Sequence, residues 1–169
     1  MIKTKKRPYA GTTVAAERSY SQIQQFLLDS GCEAVQITRS AQGEVSIRFS
    51  ITVEVQGVRR AIGFEVRPAI LARQVRQQSS SGPLVTVADE AASARLAYWY
   101  IKSKVEAVAY GLVSVEREFF AQILVSLPDG RTGTVGDLAA RAVLSGDPML
   151  LPGVDVDSGP RSLPRAGGV

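Results

Sequence analysis

The stretch 44-EVSIRFSITVEVQGVRRAIGFEV-66 decides the fold. Val45, Ile47, Phe49, Ile51, Val53 and Val55 alternate with Glu44, Ser46, Arg48, Ser50, Thr52 and Glu54. A period of two places the first set on one face of a strand and the second on the other. Gln56-Gly57 is a two-residue hairpin loop signal. Pairing Val55 with Val58 then sets Ile51 opposite Ile62, Phe49 opposite Phe64 and Ile47 opposite Val66. The same register sets Glu54 against Arg59 and Arg48 against Glu65 on the other face. One register satisfies both faces, which is how a hairpin is specified. Arg60 conflicts with it, falling on the apolar face opposite Val53, which leaves its long stem to snorkel past the hairpin end or to serve a site.

Upstream, Val35 and Ile37 alternate with Gln36 and Thr38, which makes a first strand joined to the hairpin by the turn-like SAQG at 40–43. Before it, Ser19 and Gln22 have the S-x-x-Q form of a capping box. Ile23, Phe26 and Leu27 follow at helical spacing, and Gly31 stands where a helix-ending glycine belongs, so the spacing predicts a helix over 19–30. Downstream, Pro68 ends the third strand, Ala69 to Arg76 reads as a short helix, and QQSSSGP at 77–83 reads as a flexible loop. Ala94, Ala97/Tyr98, Ile101, Val105, Val108 and Leu112 recur three or four apart and predict a long core helix from about Asp89 to Leu112. Ser114, Glu116 and Glu118 before Phe119, Phe120, Ile123 and Leu124 indicate a second short helix, and LPDG at 127–130 a tight turn. Thr134 with Asp137 is a cap that opens a helix to about Ser145.

The expected architecture is α+β in the order α-β-β-β-α-α-α: an N-terminal helix, a three-stranded antiparallel meander, a long core helix and a C-terminal helical hairpin with room for a short β-element. Residues 1–13 read as a basic disordered arm, 14–153 as a single domain and 154–169 as a disordered tail. A sheet this small must bury its apolar face on helices, and the long helix is its obvious partner.

Composition restricts the chemistry. The 169 residues contain no histidine and a single cysteine, Cys32. That excludes an internal disulfide, a cysteine-cluster zinc site, and catalysis by Ser-His-Asp or Cys-His. No apolar run reaches the roughly 20 residues of a membrane helix, and the basic start has no apolar segment of a secretory signal behind it. A reducing, cytoplasmic compartment and no membrane partner are expected. The net charge of +4 is unevenly spread. Lys3, Lys5, Lys6 and Arg7 carry +4 alone, residues 39–104 hold ten basic and five acidic side chains, and residues 105–153 hold three basic and six acidic ones. Such a bipolar chain suits a polyanion on one side.

In Tyr98–Leu112, YWYIKSKVEAVAYGL, half the residues belong to the core stripe. Arg95, Trp99, Lys102 and Glu106 form a neighbouring one, since residues three and four apart share a helix face. Three readings follow. In one, the cations cover the Trp99 ring on a helix flank. In another, Arg95, Trp99 and Lys102 are a basic surface with an aromatic that contacts phosphates and stacks on a base. In the third, Trp99 anchors a protein interface, since Trp and Arg are enriched at hot spots. Arg39, Arg48, Arg59 and Arg67 on the outward sheet face suggest a phosphate track, but Glu44, Glu54 and Glu65 among them indicate a solvated face. A nuclease core needs clustered carboxylates, and Glu65-Val66-Arg67 supplies one carboxylate and an arginine where a lysine belongs. A double-stranded-RNA module wants lysines opening its second helix, where Asp89-Glu90 stand. No phosphate-cradling glycine motif occurs. No catalytic residue, metal ligand or cofactor site is assigned, and the expectation is a non-enzyme.

The run IKSKVEAVAYGLVSVEREFFAQILVSLPDGRTGTVGDL, followed by PMLLPG, resembles a family of small uncharacterised proteins of phages and mobile elements. The matching positions are Ile101, Lys102, Lys104, Glu106, Ala107, Val108, Gly111, Glu116, Glu118, Phe119, Ala121, Leu127 to Thr132, Pro148 and Leu150 to Gly153. The likeness covers roughly residues 18–153 and departs at Ser103, Ala109 and the inserted Gly133-Thr134. It implies a viral or mobile-element origin and work inside a bacterial host cell. It implies no activity and no catalytic residue. Two function classes follow. One is a nucleic-acid-binding accessory protein acting through Lys3, Lys5, Lys6, Arg7, Arg95, Trp99 and Lys102. The other is a modulator of a host or phage protein acting through the acidic C-terminal half near Glu106, Glu116, Glu118 and Asp129.

Overall fold

A computed structural model describes residues 9–55, 57–77, 82–126 and 130–145. The element order is α1 (Ala16–Asp29), β1 (Ala34–Arg39), β2 (Val45–Val55), β3 (Val58–Val66), β4 (Ala72–Arg76), β5 (Leu84–Ala88), α2 (Glu90–Ala109), the single turn α3 (Val115–Glu118), a 3-10 turn at Phe120–Gln122, β6 (Leu124–Ser126), β7 (Thr132–Thr134) and α4 (Val135–Ser145). The α+β class holds. The expected basic arm through residue 8, Gln56 of the expected hairpin loop, residues 78–81 of the expected flexible loop, 127–129 of the expected turn, and everything from 146 on, with the expected tail, lie outside the described residues.

The meander forms as its pattern dictates. Strands β1, β2 and β3 lie antiparallel in that order. Every predicted pair of the β2–β3 hairpin is present, from Val55 with Val58 to Ile47 with Val66, including Arg60 opposite Val53. The inner face of the sheet is covered by α1 and α2. Ile23 and Leu27 of α1, Ile47 and Phe49 of β2, Phe64 of β3, Ala97 and Ile101 of α2 and Phe119 make one buried cluster. Phe49 and Phe64 stack at 5.1 Å across the strands, and Phe119 meets both, at 5.4 and 5.6 Å. Aromatic pairs of this kind add about 0.5–1.5 kcal/mol each beyond the area they bury. Burial fades along β3 towards the hairpin tip, where Arg59 and Arg60 are exposed.

Both long helices end on a left-handed glycine. Gly31 (φ +93) and Gly111 (φ +71) each let the next amide reach back to the last turn, Cys32 to the Leu27 carbonyl at 3.1 Å and Leu112 to the Ala107 carbonyl at 2.9 Å. The core stripe of α2 is buried at Ala94, Ala97 and Ile101 and half-buried at Tyr98, Val105 and Val108, while Leu112 lies past the end and is exposed. Burial of Cys32 behind α1 pushes its thiol up to about 11.

Four expectations are corrected. Ser19 is not a cap: α1 begins a turn earlier, and Ser19 lies fully buried inside it, its hydroxyl without a hydrogen-bond partner among the described residues. The apolar surroundings of α2 and the sheet, not a capping box, position this helix. Ala69–Arg76 is not a helix, because Ala72–Arg76 pairs antiparallel with Leu84–Ala88. The C-terminal helical hairpin is instead a helical turn, a two-stranded β-hairpin (β6 with β7) and α4. Arg39 is not on the outward sheet face: it pairs with Val45, on the helix side, and meets Glu90 of α2 at 3.2 Å. The cap at Thr134 is present as a reciprocal pair. The Asp137 amide donates to Thr134 Oγ1 at 3.1 Å, and the Thr134 amide to Asp137 Oδ2 at 3.3 Å.

Candidate functional site

Helix α2 carries the predicted stripe and divides it. Asp89 caps the helix, its side chain accepting from the Ala92 amide at 3.2 Å. From there Arg95 and Trp99 project one turn apart, and Arg95 reaches α1. The Arg95 guanidinium lies 4.7 Å from the Tyr98 ring centre and 5.2 Å from that of Trp99. The two rings meet edge to face at 5.3 Å. Arg95 also donates to Gln22 Oε1 of α1 at 2.8 Å, a neutral partner. Trp99 stays 40% exposed, so one edge of the cluster faces solvent. Lys102 does not join it. Its ammonium is paired with Glu106 and sits 5.3 Å from the Phe26 ring of α1. The structure therefore brings Arg95 and Trp99 together, adds Tyr98, and sends Lys102 to another neighbour. Lys3, Lys5, Lys6 and Arg7 lie outside the described residues.

Lys104, two residues on, faces the opposite way. Its ammonium donates to the Glu118 carbonyl at 2.6 Å and to the Glu118 carboxylate at 2.7 Å, tying α3 to α2 beside Phe119. That is a structural role, and it holds Phe119 against the aromatic core.

A second polar centre lies where β3 meets α4. Glu65 reads as a cross-strand partner of Arg48, and the pairing is present, with Arg48 Nε at 2.9 Å. But Glu65 is 3% exposed, not solvated. Leu124 packs over neighbouring Gly63, and Phe64 bridges to Ile123, so the C-terminal unit docks along the β3 edge. Ser46 donates to Glu65 at 2.5 Å, and Arg67 pairs with both Glu65 and Asp137, the latter at 3.1 Å. Burial pushes the Glu65 carboxyl up, and hydrogen bonds from Ser46, Arg67 and Arg48 more than offset that, holding it below the usual carboxylate range. Burial likewise acts on Asp137 and is outweighed by Thr134 and Arg67, so it too is lowered. Every Glu65 oxygen already has a partner, as a structural charge network requires. Beside it runs a cleft of about 480 Å³ whose walls include Val66, Pro68, Leu96 and Tyr100. Among the described residues no group of three or more carboxylate or thiol side chains is placed to hold a metal ion.

The centre that sequence reading missed is the hairpin β4–β5. Residues 66–88 contain no carboxylate and three arginines, a signal present in the charge pattern but hidden by the helical reading of Ala69–Arg76. No helix of the described residues is long and apolar enough to cross a membrane. Comparison of the chain with protein-family models, with curated proteins and with solved structures finds no match.

Proposed function

We propose that this chain is a small non-enzymatic accessory protein of a phage or mobile element that binds nucleic acid in the bacterial cytoplasm. The observation that carries the reading is the Arg95–Tyr98–Trp99 cluster. A guanidinium lies over two aromatic rings, has no carboxylate partner among the described residues, and leaves a tryptophan edge in solvent. An arginine held this way keeps its charge for a phosphate, and the ring offers a stacking surface to a base. The arm with Lys3, Lys5, Lys6 and Arg7 adds unspecific attraction. Lys102, neutralised by Glu106, contributes least.

Fluorescence anisotropy with labelled single- and double-stranded DNA tests the reading, at about 50 and 200 mM salt. The full chain binds and weakens with salt. Trp99→Ala lowers single-strand affinity by about 1–3 kcal/mol, the worth of one stacked base. A deletion of residues 1–13 lowers affinity without abolishing it. If the deletion removes all binding, only the arm is sticky and the helix surface is not a site.

A second reading has its own observation. Tyr110, Leu112, Val143 and Leu144, all in the acidic C-terminal half, are each about four-fifths exposed. Large apolar side chains left in water beside acids suit a protein partner. Leu112→Ser with Leu144→Ser abolishes recovery of one specific host protein under that reading and changes nothing under the first.

A further inference from the structure

Hairpin β4–β5 stands away from the core. Its strands pair with each other from Ala72 with Ala88 to Arg76 with Leu84, and among the described residues no other element runs close alongside them. The root is fixed. The buried Ser93 hydroxyl on α2 accepts from the Leu71 amide at 2.8 Å and donates to the Asp89 carbonyl at 2.7 Å, while the Asp89 amide donates to the Leu71 carbonyl at 2.7 Å. A clamp at the root, and no element approaching closely along the strands among the described residues, leave a ribbon held mainly at its base.

The ribbon has two unlike faces, because neighbours in a strand point to opposite sides. Val75, Val85 and Val87 are half-buried on one face, beside Arg73. Ala72, Gln74, Arg76, Leu84, Thr86 and Ala88 make the other, and all six are exposed. Leu84 is 56% exposed there. One long hydrogen bond, to the Gly82 carbonyl at 3.4 Å, is the contact Arg76 makes within the ribbon. Among the described residues that bond uses one of its five N–H donors.

We infer that this face is a duplex-DNA-reading ribbon that enters the major groove. The groove is about 12 Å wide and admits a two-stranded antiparallel β-ribbon. The strands lie about 5 Å apart and run roughly 17 Å, so the ribbon fits without bending the groove open. The face carries the side chains that read base edges there. Arg76 suits guanine O6 and N7, Gln74 suits adenine N6 and N7, Thr86 suits either, and Leu84 meets a thymine methyl. Small Ala72 and Ala88 at the root let the sugar-phosphate rim come close. No carboxylate repels it between Glu65 and Asp89, and Arg73 on the other face is placed for a phosphate. The deep, narrow major groove of duplex RNA does not admit such a ribbon, which makes DNA the partner. The inference shares with the proposed function only the class of partner; its residues are separate.

The test uses the full chain, a labelled mixed-sequence DNA duplex of about 20 base pairs and an RNA duplex of the same sequence. Dimethyl sulfate methylation of guanine N7 reports major-groove occupancy. Wild type protects guanine N7 and binds DNA more tightly than RNA. Arg76→Ser lowers DNA affinity at least about fivefold and removes the protection. Arg73→Ser lowers affinity equally for all sequences and reduces the salt slope by about one. Thermal melting of each variant matches wild type, since both side chains are exposed. The inference is overturned if Arg76→Ser binds and protects like wild type, if duplex RNA binds as well as DNA, or if no N7 is protected. Loss on Trp99→Ala with Arg76→Ser unaffected leaves the helix reading standing and sinks this one. Absence of binding to every nucleic acid sinks both.

Discussion

Two hairpins of this protein are built on opposite principles. Hairpin β2–β3 is specified along its whole length: both faces agree on one register, and one face is buried under two helices. Hairpin β4–β5 is specified at its root, by Ser93, Leu71 and Asp89, and is exposed over one full face. The first is a core element that happens to be a hairpin. The second is an appendage whose strands exist because they pair. A register fixed by burial resists slipping, since a shift of one residue would turn every apolar side chain to solvent. A register held by one polar clamp is open to change at that clamp.

Stability measurements separate the two. The largest effect belongs to β2–β3. Phe64→Ala removes the ring at the centre of the aromatic cluster and lowers unfolding free energy by about 3–5 kcal/mol, read from urea denaturation. Equal stability of Phe64→Ala and wild type would mean that the meander does not organise the core.

Acid gives the next effect. Glu65 and Asp137 are both held below their ordinary values in the folded protein. Their contribution is complete above the unfolded values near pH 4 and is lost as pH falls through the folded ones. Stability therefore drops below about pH 4. Glu65→Gln costs about 1–3 kcal/mol at pH 7, discounted for the half-exposed arginines around it, and flattens the acid limb. An unchanged acid limb in that variant would remove Glu65 from the network. The strands of β4–β5 carry no carboxylate, so their own pairing has no acid-sensitive group.

The smallest effect is at the clamp. Ser93→Ala leaves the Leu71 amide without its acceptor and costs about 1–2 kcal/mol. Its amide exchange signature is local: residues 72–76 and 84–88 exchange faster, and the meander is unchanged. Uniform loss across the chain would show that the hairpin is part of the core after all.

The same contrast explains what sequence reading could reach. The register of β2–β3 was legible because two independent patterns, apolar and charged, had to agree, and the Thr134–Asp137 cap was legible because it is local. The β4 strand was not. Ala69-Ile-Leu-Ala-Arg-Gln-Val-Arg76 contains good helix formers, and its strand identity comes from a partner eight residues beyond its end. Ser19 misled for the reverse reason, since a capping pattern is satisfied by chance inside a helix held by tertiary packing. Of the candidate site, the meeting of Arg95 with Trp99 followed from helical spacing. The turn of Lys102 towards Glu106 and Phe26 depended on α1, which spacing along one helix does not contain.

The packing of α1 on α2 has a consequence for how the chain is made. Ile23 and Leu27 leave the ribosome first, yet Ile101, which helps to cover them, is synthesised only after all five strands of the two hairpins and β1. A solitary helix of α1's length is marginal in water. During translation the N-terminal segment therefore waits, partly melted, while the β2–β3 hairpin closes on its own local contacts. A chain stalled before α2 would expose one uncovered sheet face, and is the species a chaperone would meet.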